Sequence, residues 1–226
     1  MRLPLLVLLP LIAVDATVVS APRNDHAAKS PAIPRVIVND NRQPAGKLRA
    51  GVLTLRIEAR LADWHPDGED AVGATVPAFA EEGGPARIPG PLIRVPAGTE
   101  VALSLHNALA QGLTVRGLDN RLVHATDTQI GRVIELAPGE TRAVRVRLDA
   151  PGTYYYYGST RHQTFDWRSG DDAQLSGAIV VDPPGSRTKD RIFVIGVWSD
   201  TAGRVLPSAA ASCPRSTGGR GRARND

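Results

Sequence analysis

Apolar and polar side chains alternate along several stretches of this 226-residue chain, with the two-residue period of a β-strand. In the longest stretch, Leu53, Leu55, Ile57, Ala59 and Leu61 alternate with Thr54, Arg56, Glu58 and Arg60. The same period returns at 101–105 and at 144–148. The pattern predicts strands with one face in a core and one in water. No stretch predicts a helix longer than a turn or two.

Turn-forming residues separate these stretches. They are Gly90-Pro91, Ala97-Gly98, Ala137-Pro138-Gly139 and Pro151-Gly152. Their spacing favours a sandwich of antiparallel strands. Residues 36–185 are therefore predicted to form one all-β domain, a Greek-key β-sandwich of ordinary domain size. The apolar run that ends at Trp198 predicts one more strand, so 186–206 is interpreted as the start of an incomplete second domain.

The two ends of the chain have different compositions from the middle. Residues 1–21 have Arg2, a short apolar run and the small residues Val19-Ser20-Ala21, as in a secretory signal peptide. The run is shorter than the roughly 20 apolar residues that span a bilayer, although retention as an uncleaved anchor stays open. We expect a secreted or periplasmic protein with no membrane span after signal removal, and a flexible leader at 22–35.

The net charge of +4 is concentrated in residues 213–226, which carry a net +3. A Gly/Arg-rich tail of this kind can attract anionic surfaces, but no aromatic residue accompanies the arginines, and we expect no nucleic-acid partner. Residues 207–226 are predicted to be disordered. The lone Cys213 cannot form an internal disulfide. The loss of strand pattern after Leu206 leads to the hypothesis that the chain is truncated.

Several blocks, in order, carry a family resemblance. The most specific runs from Ile88 to Val95, followed by Ala97-Gly98-Thr99, and a later one is Pro151-Gly152-Thr153 before four tyrosines. From Leu53 to Trp198 the chain resembles the N-terminal plastocyanin-like (cupredoxin) domain of multicopper oxidases. The resemblance implies a cupredoxin-like fold, copper as cofactor and oxidoreduction as the family activity.

The family's copper-ligand pairs, written His-x-His, are missing from this sequence. The resemblance places the first pair on Thr114 and Arg116 and the second on Tyr157 and Ser159. Residues i and i+2 of a strand share a face, so the geometry is kept without the chemistry. Threonine is a poor copper ligand and an arginine is always protonated. We therefore expect no copper at the usual positions and assign no catalytic residue.

Two loop histidines, His124 and His162, remain as speculative metal ligands. They would meet if both loops fold towards one end of the sandwich. Two histidines without a third ligand make a weak site, and loop histidines are mostly solvated. We interpret His106 as a strand-end residue bonded to backbone, and His65 as a surface residue.

Residues Tyr154 to Tyr157 hold all four tyrosines of the chain. Alternation predicts that two rings enter the core and two point outwards. The outward pair is either an aromatic outer surface or a contact for another domain or protein.

Three functions remain open from the sequence. The chain is the first domain of an oxidase of the multicopper type, inactive in isolation. Alternatively it is a copper-free cupredoxin scaffold or interaction module in the periplasm, with downstream cupredoxin domains or another protein as partner. A truncated product without activity is the third. Fold alone does not choose between them.

Overall fold

The computed structural model describes residues 32–118, 133–161, 170–186, 190–199 and 205–209. The chain divides into two compact units, Met1–Ala32 and Ile33–Asp226, and the strands named below all belong to the second. The expected signal peptide, Cys213 and most of the predicted tail lie outside the described residues. Within those residues, no helix has the length and apolar character needed to cross a membrane.

Strands dominate the described part of the chain, with one short 3-10 helix at Asp171–Gln174. The strands are β1 (Ile37–Val38), β2 (Lys47–Arg49), β3 (Val52–Trp64), β4 (Ala74–Glu81), β5 (Ala86–Ile88), β6 (Ile93–Pro96), β7 (Thr99–Asn107), β8 (Leu113–Arg116), β9 (Ile134–Leu136), β10 (Thr141–Leu148), β11 (Gly152–Ser159), β12 (Ser176–Asp182), β13 (Ile195–Ser199) and β14 (Val205–Ala209).

Two sheets make the sandwich, which confirms the predicted all-β class. The first sheet has the order β1-β5-β4-β3-β7-β10, with β2 added to β3, and the second has the order β6-β12-β11-β8-β9. Strands β13 and β14 form a separate pair. The sheets are mixed rather than antiparallel as expected, because β1–β5, β3–β7 and β6–β12 pair in parallel. The non-consecutive strand order brings these distant segments side by side.

The core lies between the two sheets and follows the alternation of the sequence. Leu55 and Leu103 from the first sheet meet Val115 and Ile179 from the second in one buried cluster. In β7 every second residue is buried along the whole strand. The two-residue period therefore located the core correctly for most of these strands.

Leu61 departs from the predicted pattern. Its side chain is 45% exposed, whereas Ala62 and Trp64, on the opposite face of β3, are buried. A second apolar cluster covers that opposite face and contains Trp198 from β13. The expectation of one wet face along β3 is wrong at this end, because a sheet face is buried wherever another element covers it.

The segment after the sandwich packs back onto it. Ile192 and Val194 lie against Leu92 and against Ala178 and Val180 of β12. The ring of Trp198 meets Trp64 edge to face at 5.2 Å. The expected loss of strand structure after Leu206 is wrong, since β14 continues to Ala209 and pairs with β13.

The other end of the domain also differs from its predicted boundary. The carbonyl of Pro34 accepts a hydrogen bond from the backbone N–H of Asp63 (2.9 Å), and the N–H of Val36 donates to the Asp63 carbonyl (2.9 Å). Arg35 forms a parallel bridge with Asp63. The last two residues of the expected leader, Pro34 and Arg35, are thus part of the folded domain.

Candidate functional site

The four residues at the family's ligand positions lie together on one face of the second sheet. Arg116 of β8 is the cross-strand partner of Tyr157 of β11, and Thr114 is the partner of Ser159. We call these four residues the outer block. Their chain neighbours Val115 and Tyr156 point to the opposite face, into the core. The alternation predicted from the sequence is confirmed. The pairing of β8 with β11 also brings the two pairs of ligand positions side by side.

Strand β8 ends directly beside the outer block, at Gly117. This residue has φ +80°, and a Cβ there would lie 2.2 Å from the carbonyl oxygen of Tyr155. Only glycine tolerates both the left-handed backbone and this approach. Gly117 therefore lets the chain turn away immediately after Arg116.

Ser159 is tied to a buried carboxylate. Its hydroxyl donates to Asp172 Oδ2 (3.1 Å), which also accepts the backbone N–H of Thr160 (2.8 Å), while the Thr160 hydroxyl donates to Oδ1 (2.8 Å). The N–H of Arg161 donates in turn to Ser159 Oγ (3.2 Å). Asp172 lies in the 3-10 helix, and nothing in the sequence marked it as a buried anchor of this position.

Arg116 differs from the other members of the outer block in its hydrogen bonding. Its side chain is partly buried, and its Nη1 is enclosed with no hydrogen-bond partner in the part of the chain that the structure describes. Thr114, Tyr157 and Ser159 are almost fully buried. A buried guanidinium N–H without an acceptor costs about 1–3 kcal/mol or more. A hydrogen-bond acceptor placed beside Nη1 of Arg116 would therefore be stabilising.

These side chains do not fit a copper ion. Copper in proteins prefers imidazole and sulfur ligands, and the outer block offers three hydroxyls and a permanent cation. The hydroxyl proton of Ser159 is directed at Asp172, and Arg116 adds a hydrogen-bond donor, its enclosed Nη1, where a metal would need electron pairs. No group of three or more His, Cys, Asp or Glu capable of holding a metal is present among the described residues.

The tyrosines of β11 alternate as predicted. Tyr156 lies in the core and Tyr154 packs against it, while the rings of Tyr155 and Tyr157 contact each other with centroids 6.0 Å apart. Tyr157 is nevertheless buried. Of the outward pair, only Tyr155 keeps partial exposure, so the aromatic outer surface is smaller than the sequence predicts.

Tyr156 holds the turn before β6. Its hydroxyl donates to the carbonyl of Pro91 (2.7 Å), inside the block Ile88–Val95 that carries the family resemblance. Burial raises the pKa of Tyr156 above its ordinary value, with a smaller contribution from Tyr155. This phenol therefore stays protonated and acts as a structural donor.

Arg94 of the same block forms a clamp. It donates from Nε and Nη2 to the two carboxylate oxygens of Asp182 (2.9 and 2.8 Å), and its Nη1 lies 2.9 Å from Asp190 Oδ1. The hydrogen bond to Asp182 is the largest cause of a raised Arg94 pKa. The clamp joins β6, β12 and the segment that leads to β13. Sequence reasoning treated the block as a turn and missed this role.

The candidate histidines are only partly tested. His124 and His162 lie outside the described residues, so their role as metal ligands stays a prediction. His65 was expected at the surface but is partly buried, with ring contacts to Asp63 (2.8 Å) and the Ala71 carbonyl (2.8 Å). His106 bonds the hydroxyl of Thr141 (2.9 Å) rather than backbone.

A two-sheet sandwich with mixed pairing, and a row of alternating site positions on the outer face of its second sheet, defines a cupredoxin-like domain. Residues 85–186 match the family model described as multicopper oxidase. A crystal structure of a multicopper oxidase superposes with a TM-score of 0.52 at 19% identity, covering 77% of this chain and 63% of that one. This likeness supports the fold.

Curated relatives point to the same family. The L-ascorbate oxidase of Nicotiana tabacum is 32% identical over 123 residues, which cover 53% of this chain and 19% of that protein. The multicopper oxidase MmcO of Mycobacterium tuberculosis is 29% identical over 175 residues, covering 72% of this chain and 33% of that protein. The chain thus spans between a fifth and a third of the length of these relatives. Residues 85–186 thus resemble a multicopper oxidase domain, in agreement with these curated relatives.

Proposed function

We propose that this chain acts as a copper-free cupredoxin scaffold domain of a multicopper-oxidase-type protein, and that it is inactive as an oxidase by itself. The observation that supports this proposal is the outer block. At the positions where the family resemblance expects histidines, two cross-strand pairs present Thr114 with Ser159 and Arg116 with Tyr157.

The electrostatics of the outer block also disfavour copper. Arg116 brings a fixed positive charge to the face where a copper ion would need electron-pair donors. The hydroxyl of Ser159 donates to Asp172 and accepts the backbone N–H of Arg161, so both its proton and a lone pair are engaged within the protein. A chain with this site has no means of reducing dioxygen at these positions, and its contribution to a larger protein is structural.

Copper content tests the proposal. The mature chain is loaded with Cu(II), desalted and assayed for metal and for oxidation of a phenolic dye. We expect well under one copper per chain and no dioxygen-dependent oxidation. The variants His124→Ala and His162→Ala serve as controls for the speculative loop site. One retained copper per chain that is lost in both variants would contradict the proposal and establish a rewired metal site.

The partner is a downstream cupredoxin domain of the same type of protein. Strand β13 supports this, because its segment is apolar on both faces. Ile192, Val194 and Trp198 pack on the sandwich, whereas Phe193, Ile195 and Val197 are 58%, 86% and 54% exposed. Strands that are apolar on both faces are typical of positions covered on both sides. Tyr155 of the Tyr154 to Tyr157 strand offers a second, smaller contact.

The exposed row on β13 is tested with a hydrophobic dye. The variant Ile195→Ser is compared with Val72→Ser, a matched control at an isolated residue that is 93% exposed. We expect dye fluorescence and self-association, measured by light scattering, to fall in Ile195→Ser and to stay unchanged in Val72→Ser. Equal behaviour of both variants would remove β13 as the docking surface.

Residues 1–21 support export to the periplasm or outside the cell.

A further inference from the structure

Arg116 is the charged member of an otherwise neutral and buried block. On either side of it along the same face lie Tyr157, its cross-strand partner, and the pair Thr114 and Ser159, all three almost fully buried. The Arg116 side chain is therefore flanked by buried side chains and is only partly exposed to solvent. Its enclosed Nη1 points at no acceptor.

Within the described ranges Arg116 forms no ion pair with a carboxylate, whereas two other partly buried arginines are paired: Arg60 with Glu58, and Arg94 with Asp182 and Asp190. Asp172, the buried carboxylate bonded to this block, accepts hydrogen bonds from Ser159 and Thr160. These three hydrogen bonds stabilise the charge of the Asp172 carboxylate.

We propose that the outer block is an oxyanion site centred on Arg116, so that the position which the family resemblance gives to a copper cation takes a small anion in this chain. A guanidinium presents its N–H groups as a planar fork that matches the two oxygens of a carboxylate or phosphate. Partial burial strengthens such a pair, because the local dielectric is lower than that of water. The ligand class is a small phosphate or carboxylate.

This inference goes beyond the scaffold proposal and does not depend on a downstream domain. It explains why a cation with no carboxylate partner among the described residues occupies a partly buried face, where an unpaired charge is otherwise unfavourable. The same charge excludes a metal ion. Arg116 thus has two effects: it disfavours copper at this position, and it supplies the group that binds an anion.

Isothermal titration calorimetry on the full mature chain tests the site, with sodium phosphate and sodium acetate as separate probes at constant ionic strength. We expect saturable one-to-one binding of at least one of them. Binding should weaken at least tenfold in Arg116→Met and less in Arg116→Lys, which keeps the charge without the fork. Arg56→Met is the matched control, since Arg56 is an exposed arginine on the other sheet, paired with Glu82.

The two probes separate phosphate from carboxylate as the ligand. Circular dichroism of each variant confirms that it folds, and Arg116→Lys carries the test should Arg116→Met fail to do so. No saturation of the native chain by either anion would overturn the proposal, as would equal affinity in the native chain and the folded Arg116 variants. A low copper content without anion binding would leave the scaffold proposal standing and remove this one.

Discussion

The hydrogen bond from Tyr156 to Pro91 allows a quantitative test of what stabilises the second sheet, which carries the outer block. Tyr156 is 1% exposed, and its hydroxyl lies 2.7 Å from the Pro91 carbonyl oxygen. The change Tyr156→Phe keeps the ring and its contact with Phe79 but removes the donor. A buried carbonyl left without its donor costs about 1–3 kcal/mol.

The effect is measured as the free energy of unfolding in urea and as the melting temperature. For a domain of this size, each kcal/mol lowers the melting temperature by about 2–4 °C. Tyr154→Phe is the matched control, since that hydroxyl donates to the carbonyl of Ala150 (3.0 Å) at an exposed position. We expect a change below about 0.5 kcal/mol there. Equal losses in both variants would refute the assignment of Tyr156 as the buried anchor.

Alkaline pH gives an independent check of the same residue. Burial raises the pKa of Tyr156 in the folded state, so its contribution to stability is complete below the ordinary tyrosine pKa of about 10 and is lost at higher pH, where only the unfolded chain gives up the proton. By pH 11 the native chain should have lost about 1.4 kcal/mol more than Tyr156→Phe. Parallel pH profiles for the two proteins would show that the phenol is not buried.

Three further substitutions test the packing around the site. In Gly177→Ala the new Cβ would lie 2.4 Å from the Tyr156 ring, so we expect a loss of about 1–3 kcal/mol in urea unfolding; Gly170→Ala, with nothing within 4 Å, is its control. Arg94→Met breaks the clamp to Asp182 and should destabilise the domain by about 1.5–3 kcal/mol, with faster protease cleavage near residue 190; unchanged cleavage would argue against the clamp. Trp198→Ala removes a buried indole and should cost about 3–5 kcal/mol, whereas an unchanged unfolding midpoint would mean that β13 does not stabilise the sandwich.

The sequence determined the fold class and the content of the outer block. Alternation along β7, and along β3 as far as Ala59, predicts which side chains face the core, because the strand period is two and does not depend on distant contacts. The same rule places Thr114 with Arg116, and Tyr157 with Ser159, on common faces. The residue types at those positions, hydroxyls and a guanidinium, are visible in the sequence, so their poor fit to copper follows from chemistry alone.

Tertiary structure decided what surrounds those positions. The register of β8 against β11 sets Arg116 beside Tyr157, and register depends on pairing between segments more than 40 residues apart in the chain. The exposure of Leu61 and the burial of Asp172 likewise depend on which distant element covers them. A local pattern tells which face a side chain takes, whereas cover and hydrogen-bond partners come from segments that only folding brings near.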